Sequence, residues 1–135
     1  ELSGKDIIKA LEQTAQSFTL TDAGEINVHP VYIEPKPQHY NYDMWEGIEY
    51  TFNISKPMGE RVEHVTYHGE PLMDDNTYKV VLNNYRASGG GDYAMFQGKK
   101  VVKEIQKDAV ELIQEYFEKY HIVEAKTVDN FKVIK

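Results

Sequence analysis

Apolar side chains recur with a helical period at two places in the chain. Ser3 can cap a helix near the beginning of the sequence, and Asp108 can lead a second helix near its end. The residues that share one face are Ile7, Leu11, Ala15 and Phe18 in the first helix, and Val110, Ile113, Phe117 and Tyr120 in the second. This spacing predicts two amphipathic helices.

Alternation of apolar and polar residues predicts strands between the two helices and after the second. In residues 45–55 the side chains of Ile48, Tyr50, Phe52 and Ile54 share one face, and residues 56–59 end the pattern with a proline and a glycine. The other predicted strands are residues 61–67, with Val62 and Val65 toward the core, residues 77–84 as a buried strand, and residues 131–134 as a closing strand.

The segments outside these elements carry turn and loop signals. Residues 21–39 hold three prolines among isolated apolar residues, so we expect irregular structure there, with a short extended piece at residues 31–33. Residues 68–71 predict a turn, and residues 100–105 predict either a short strand or the start of the second helix. The mixture predicts an α/β fold of the α+β type.

Length and composition narrow the class of protein. The 135 residues, of which 41% are hydrophobic and 27% charged, fit one globular domain over residues 1–135. A net charge of −7 argues against a nucleic-acid polymer as partner but allows a single nucleotide. The chain has no cysteine, which excludes disulfides and thiolate metal sites. No run approaches the roughly 18 apolar residues of a membrane span.

The loop at residues 83–93 combines groups that suit a nucleoside. Three consecutive glycines, Gly89, Gly90 and Gly91, let backbone and ligand approach closely. The polar and aromatic groups around them are Asn83, Asn84, Tyr85, Arg86 and Asp92. An aromatic ring can stack on a base, carboxamides can bond its edge, and a carboxylate can accept hydroxyl protons. The same composition fits a glycine-rich turn that closes a strand, so the residues alone leave both interpretations open.

The order of residues in this loop resembles a family signature. Residues 83–91, Asn-Asn-Tyr-Arg-Ala-Ser-Gly-Gly-Gly, resemble the Asn-aromatic-x-Ala-x-Gly-Gly loop of the C-terminal domain of the 5'-nucleotidase family, and most closely its 2',3'-cyclic-nucleotide 2'-phosphodiesterase/3'-nucleotidase branch. Further similar segments are residues 2–12, 40–43, 47–50, 56–62 and 69–72, so the resemblance extends from about residue 2 to about residue 120. It implies the fold of that domain, with mixed sheets flanked by helices.

The resemblance also implies roles for the loop residues. Tyr85 stands where the family places the ring that stacks on the nucleobase, although a tyrosine can also simply end a buried strand. Arg86 can meet a phosphate or a base edge, or pair with an acidic neighbour. Asn83 and Asn84 can bond the base or the ribose, or their own turn, and Asn84 is favoured of the two. In the 5'-nucleotidase branch an Asp that accepts the ribose hydroxyls directly follows two glycines. Here Gly91 takes that place and Asp92 follows it, which favours the cyclic-phosphodiesterase branch.

The remaining aromatic residues are interpreted as structural. We expect Tyr93 and Phe96 to pack beneath the loop, and Tyr40, Tyr42 and Trp45 to be core or rim residues of their strand. In the family, the second aromatic ring that clamps the base lies just upstream of the first helix, at a position that would precede residue 1. One stacking face must overcome the entropy of association, so we expect this chain alone to bind nucleosides weakly or undetectably.

Catalytic and metal-ligating motifs are absent from the sequence. The five histidines are His29, His39, His64, His68 and His121, and none lies in a His-x-His, Asp-x-His or His-Glu-x-x-His pattern. In the family, two divalent metal ions in a separate N-terminal metallophosphoesterase domain cleave the phosphoester. We therefore expect no catalytic residue and no cofactor in this chain, and no hydrolysis by the isolated chain.

The resemblance implies a substrate-recognition domain of a two-domain 2',3'-cyclic-nucleotide 2'-phosphodiesterase/3'-nucleotidase, a secreted hydrolase of nucleotide catabolism located in the periplasm, at the cell wall or outside the cell. No secretion signal opens the chain at Glu1, so we expect a piece of a longer protein whose metallophosphoesterase domain is absent here. The alternative is a non-catalytic interaction module that kept the fold and lost the ligand. A free-standing phosphatase is a third reading, which the missing metal ligands disfavour.

Overall fold

The structure is a computed structural model that describes residues 1–135. Its helices are α1 (Gly4–Ala15), α2 (Asn84–Ala87) and α3 (Ala109–Tyr120). Its strands are β1 (Leu2–Ser3), β2 (Phe18–Leu20), β3 (Ile26–Val28), β4 (Glu49–Asn53), β5 (Val62–Tyr67), β6 (Glu70–Pro71), β7 (Thr77–Tyr78) and β8 (Phe131–Ile134). Short 3-10 turns lie at Pro30–Tyr32, His39–Asn41, Gly90–Asp92 and Ala94–Phe96.

The strands form one four-stranded sheet and two small ribbons. The main sheet has the order β6-β5-β4-β8, in which β4 and β8 are parallel and the other neighbours are antiparallel. The two ribbons are the antiparallel pairs β1-β7 and β2-β3. Mixed sheets with a few helices confirm the predicted α+β class.

Helix α1 and strand β4 form the core. Ser3 caps α1 through a capping box with Asp6, as the sequence predicts. The helix buries Ile7 and Leu11 in the same cluster as Phe52 of the sheet. The predicted face of β4 is confirmed, because Ile48, Tyr50, Phe52 and Ile54 are all buried. The predicted strands at residues 61–67 and 131–134 are present as β5 and β8.

The proline-rich segment is more regular than predicted. Helix α1 ends at Ala15, so Phe18 lies in strand β2 instead of on the helix. Strand β3 lies inside the region expected to be irregular, and it forms a hairpin with β2, which precedes that region. Residues 31–33 are not extended, because Pro30 opens a 3-10 turn whose fixed proline φ suits a helical start. Residues 100–105 form neither a strand nor a helix.

The prediction of a buried strand at residues 77–84 is wrong. Only Thr77 and Tyr78 are paired, and their partners are the two residues of β1. Beyond them the chain has no neighbouring strand, so the ladder stops, and Val81 is 95% exposed. From Asn84 the chain turns into helix α2.

The second predicted helix is present but unburied. Helix α3 begins after Asp108, which forms a capping box with Glu111. Its apolar face is open to solvent, since Ile113 is 57% exposed and Phe117 52%. All of residues 101–129 are exposed, and we call this segment the arm. None of the chain's helices has the length and apolar character that crossing a lipid bilayer demands.

Candidate functional site

The loop at residues 83–93, called here the signature loop, begins with a short capped helix. The side chain of Asn83 accepts a hydrogen bond from the backbone N–H of Arg86 at 2.8 Å, which starts α2. Asn84 is exposed, and its side-chain oxygen accepts a bond from the N–H of Tyr85 at 3.0 Å. Both asparagines therefore bond their own turn, which the sequence left open as one alternative.

The glycines of the loop are needed by its backbone and by its neighbours. Gly89 and Gly91 have φ of 85° and 70°, a left-handed conformation that costs glycine little. A Cβ at Gly91 would overlap the guanidinium of Arg86 and the side chain of Asn41. Asp92 follows with φ of 69°, which aspartate tolerates better than most residues. Any larger side chain at Gly91 would open the loop.

Tyr85 presents its ring at the surface of the loop. The side chain is 51% exposed, and one edge of its ring lies against Gly90, where a Cβ would come within 2.5 Å of the Cε2 atom. The tyrosine therefore does not end a buried strand, the structural alternative that the sequence allowed. Its carbonyl accepts a bond from the hydroxyl of Ser88 at 2.8 Å, which fixes the backbone beneath the ring. The loop thus holds a half-exposed aromatic ring on a constrained backbone.

Arg86 is the most heavily bonded residue of the signature loop. Its Nε and Nη2 atoms donate to the two carboxylate oxygens of Asp43, each at 2.8 Å. Its Nη1 atom donates to the carbonyl of Gly90 at 2.8 Å and to Asn41 Oδ1 at 3.3 Å, and Nη2 also donates to the carbonyl of Tyr40 at 3.3 Å. A guanidinium has five N–H donors, so every one has an acceptor within the chain.

The Arg86–Asp43 pair is largely shielded from solvent. The side chain of Arg86 is 7% exposed and that of Asp43 is 26% exposed. The hydrogen bonds that Arg86 donates to Asp43 raise the pKa of Arg86, although burial opposes the shift. The guanidinium carbon also lies 4.2 Å from the ring centroid of Tyr93 and 5.5 Å from that of Tyr85. Of the alternatives considered for Arg86, the structure contains the pairing with an acidic neighbour.

Tyr93 connects the loop to helix α1. It is 1% exposed, and its hydroxyl bonds Thr14 Oγ1 at 2.8 Å and the carbonyl of Asn41 at 3.2 Å. Burial is the main reason that the pKa of Tyr93 rises to about 12. Tyr93 also stacks on Phe96, with ring centroids 5.6 Å apart. The prediction that Tyr93 and Phe96 pack beneath the loop is confirmed.

Asp92 lies near the end of the loop and is exposed. Burial raises the pKa of the Tyr32 phenol, and the negative charge of Asp92 adds to this shift. Asn84, Tyr85 and Asp92 are therefore the exposed side chains of the predicted set, whereas Arg86 is turned inward.

Asp43 and Asn41 anchor the loop, and the sequence indicated them only as part of residues 40–43, a segment similar to the family, and not as site residues. They lie more than forty positions before Arg86, and a 3-10 turn at His39–Asn41 brings them beside the loop. One general rule could have led to Asp43: an arginine that is buried needs an acidic partner. Tyr40 is 61% exposed, while Tyr42 and Trp45 are half-buried, which fits rim and core roles. No group of three or more His, Asp or Glu side chains is arranged to hold a metal ion.

Known proteins with similar sequences are nucleotide-processing enzymes. The chain is 26% identical to the trifunctional nucleotide phosphoesterase protein YfkN of Bacillus subtilis over 96% of its length, which is 9% of that protein. It is 30% identical to a 2',3'-cyclic-nucleotide 2'-phosphodiesterase/3'-nucleotidase of Salmonella typhimurium over 65% of its length and 16% of that protein. The chain thus corresponds to a small part of each.

The chain is also similar to solved structures of proteins named as 5'-nucleotidases. A Staphylococcus aureus protein assigned as a 5'-nucleotidase, crystallised with α-ketoglutarate, matches with a TM-score of 0.92 and 36% identity over 99% of this chain and 26% of that one. A 5'-nucleotidase precursor from Thermus thermophilus matches with a TM-score of 0.62 and 26% identity over 98% of this chain and 24% of that one. The profile of the 5'-nucleotidase C-terminal domain matches residues 1–98, and the chain belongs to this family.

Proposed function

We propose that this chain is the nucleotide-recognition domain of an exported two-domain hydrolase of 2',3'-cyclic nucleotides and 3'-nucleotides. Family membership supports nucleotide chemistry in general, and several relatives named for these two activities support the substrate class. Location in the periplasm, at the cell wall or outside the cell is part of the proposal.

The exposed ring of Tyr85 is the observation that carries this proposal. A tyrosine that served only to fill the core would be buried, yet this ring is 51% exposed and is held against Gly90. Stacking of a base on an aromatic ring is worth roughly 1–3 kcal/mol. Because the ring is already positioned, little conformational entropy is lost when a base stacks on it.

The other loop residues divide into groups that face the ligand and groups that support the loop. Asn84 and Asp92 are exposed, so their polar atoms can bond the base edge or the ribose hydroxyls. Gly90 keeps the space beside the ring free of a side chain, while Gly89 and Gly91 leave room for Gln97 and for Arg86 with Asn41. Arg86 has all its donors bonded internally, and we propose that it acts by holding the loop, with a direct phosphate contact requiring those bonds to open.

Hydrolysis would be carried out by another domain of the same polypeptide. Divalent metal ions in a metallophosphoesterase domain would activate water and neutralise the phosphate charge. In this arrangement the present domain binds base and ribose and orients the phosphoester toward that site. Positioning of this kind contributes to catalysis because it replaces an encounter in solution with a fixed geometry.

A nucleoside titration of the chain, followed by amide NMR, tests the recognition role. Adenosine and 3'-AMP should shift the amides of residues 83–93 at millimolar concentrations. Tyr85→Ala should weaken this binding roughly 5- to 150-fold, the range that corresponds to one lost stacking contact. Tyr116→Ala is the matched control, because that ring on α3 is 52% exposed and lies outside the loop.

The outcome separates the two candidate functions. Shifts confined to the signature loop and lost in Tyr85→Ala would support nucleotide recognition. If neither the 135-residue chain nor the longest natural polypeptide that contains it responds to nucleosides, the interaction-module alternative is favoured. Equal weakening by Tyr85→Ala and Tyr116→Ala would contradict a specific role for the Tyr85 ring.

A further inference from the structure

Residues 79–83 continue strand β7 without a partner strand. The pairing of β1 with β7 ends at the Leu2–Tyr78 pair. None of the backbone N–H or carbonyl groups of residues 79–82 makes a hydrogen bond within the chain. Nearly all backbone groups that folding buries have partners, and an edge with free groups is a template for another strand.

The side chains of this segment point alternately to two sides, as in a strand, and Val80, Val81 and Leu82 form a continuous apolar run. Val80 and Leu82 pack against the core, as Tyr78 does. Val81 points the other way and is 95% exposed. A continuous apolar run is typical of an interior strand, which is covered on both faces. Here the face that carries Val81 is uncovered. The sequence therefore has the composition of a central strand, although its surroundings are those of an edge.

A groove runs beside the unpaired segment. It has a volume of about 580 Å³ and is lined by two continuous stretches, residues 42–48 and 78–83. Eleven of its seventeen lining residues are hydrophobic, among them Trp45 and Phe96. Free backbone donors and acceptors next to a mostly apolar groove fit an extended peptide backbone with apolar side chains at alternate positions.

The size of the relatives indicates where such a strand can come from. The Staphylococcus aureus chain superposes on 99% of this chain with a TM-score of 0.92, yet that overlap is only 26% of its own length. Most of that polypeptide therefore has no counterpart in residues 1–135 and can cover the edge. The register of β1 and β7 is antiparallel, so a strand that continues this ladder runs antiparallel to residues 79–83.

We propose that residues 79–83 are a docking edge for an antiparallel β-strand supplied by the same polypeptide from outside residues 1–135. The strand bonds the free backbone groups of residues 79–82 and covers Val81. Asn83 is the last residue of this edge and caps α2, so the docked strand ends where the signature loop begins. Strand docking is independent of nucleotide binding, so one can fail while the other holds.

Hydrogen exchange on the longest natural polypeptide that contains this chain tests the proposal. The amides of residues 79–82 should be protected there by at least tenfold relative to the same amides in the 135-residue chain. Val81→Asp should lower the melting temperature of the long polypeptide, because a buried carboxylate would lack a partner. Val31→Asp is the matched control at a valine that is 53% exposed, and it should leave the melting temperature unchanged.

Three results would overturn the proposal. The first is equally fast exchange of residues 79–82 in the long and short chains. The second is a dimer of the 135-residue chain, detected by light scattering, in which hydrogen exchange shows these amides to be protected. The edge would then bind a second copy of the chain. The third is an equal effect of Val81→Asp and Val31→Asp in the long polypeptide, which does not depend on the short chain folding alone.

Discussion

Helices α1 and α3 have the same local design and opposite surroundings. Each is 12 residues long, each begins with a capping box, and each carries an apolar face. Helix α1 buries Ile7, Leu11 and Ala15 in the core, whereas no residue of α3 is buried. Caps and periodicity are local properties that a sequence can specify, but burial depends on what another part of the polypeptide supplies.

The same contrast holds for the regions to which the two helices belong. The packed body contains the core, the main sheet and the signature loop, and Arg86 and Tyr93 of that loop are buried. In the arm, every recorded hydrogen bond and ion pair joins two residues of the arm itself, as between Lys107 and Glu115. An isolated helix of this length is marginal in water. The arm therefore adds little to the stability of the 135-residue chain.

Truncation of one core leucine should give the largest difference between the two helices. Leu11→Ala removes a side chain that is 0% exposed and should lower the free energy of unfolding by about 2–5 kcal/mol. Ile113→Ala on α3, where the side chain is 57% exposed, should change it by about 0.5 kcal/mol or less. Urea unfolding of both variants measures the difference. Similar losses would mean that α3 is covered in solution, for example by a second copy.

Loss of the Arg86–Asp43 ion pair should give the second-largest loss of stability. Asp43→Asn leaves the Arg86 guanidinium without its counter-charge and should cost about 3 kcal/mol, the lower end for buried pairs, because Asp43 is 26% exposed. Lys107→Met breaks an exposed pair in the arm and should cost less than about 1 kcal/mol. Thermal unfolding followed by circular dichroism compares the two. An Asp43→Asn variant as stable as the wild type would show that the pair does not anchor the signature loop.

Substitution of the acidic residue in the first turn of each helix should give the smallest difference in stability between α1 and α3. This difference should be present only above about pH 4. Burial raises the pKa of Asp6, but bonds from Lys99 and Ser3 outweigh it and hold the pKa below its ordinary value of 3.8. A lowered folded-state pKa means stability that is present above about pH 4 and lost as the pH falls through the folded-state value. Asp6→Asn should therefore cost about 1 kcal/mol at pH 7 and progressively less below pH 4.

Glu111→Gln is the matched change in α3, where Glu111 occupies the same position of the capping box. Because the arm is exposed throughout, this variant should leave the unfolding midpoint unchanged at both pH 7 and pH 3. Chemical denaturation at the two pH values checks both variants. A loss for Asp6→Asn that is the same at pH 7 and pH 3 would contradict the role of its charge.

Sequence signals predicted the elements that depend on neighbouring residues. Ser3 and Asp108 cap the two helices, and the alternation around Phe52 identifies the central strand. The order of residues in the signature loop indicated the family, which the profile match over residues 1–98 confirms. These features were accessible because capping, period and loop composition each involve residues that are close in sequence.

The signals failed where the outcome depended on distant residues. The apolar run after Thr77 predicted a buried strand, but pairing stops at Tyr78 because no strand is present to continue it. Strand β3 lies in residues 21–39, whose prolines suggested irregular structure, but it pairs with β2 just before that segment. The acidic partner of Arg86 is Asp43, far away in the sequence, and no local pattern pointed to it.

The sequence by itself determined the family, the two capped helices, the face of β4 that fills the core and the glycine-rich composition of the signature loop, because each depends on residues that are close together in the sequence. Only the tertiary structure decided that Arg86 faces Asp43, that the ring of Tyr85 remains exposed beside Gly90, and that α3 and residues 79–83 lack a cover. These features depend on which parts of the chain contact each other in the folded protein. Burial and ion pairing each require two contacting groups, and a local sequence pattern describes only one of them.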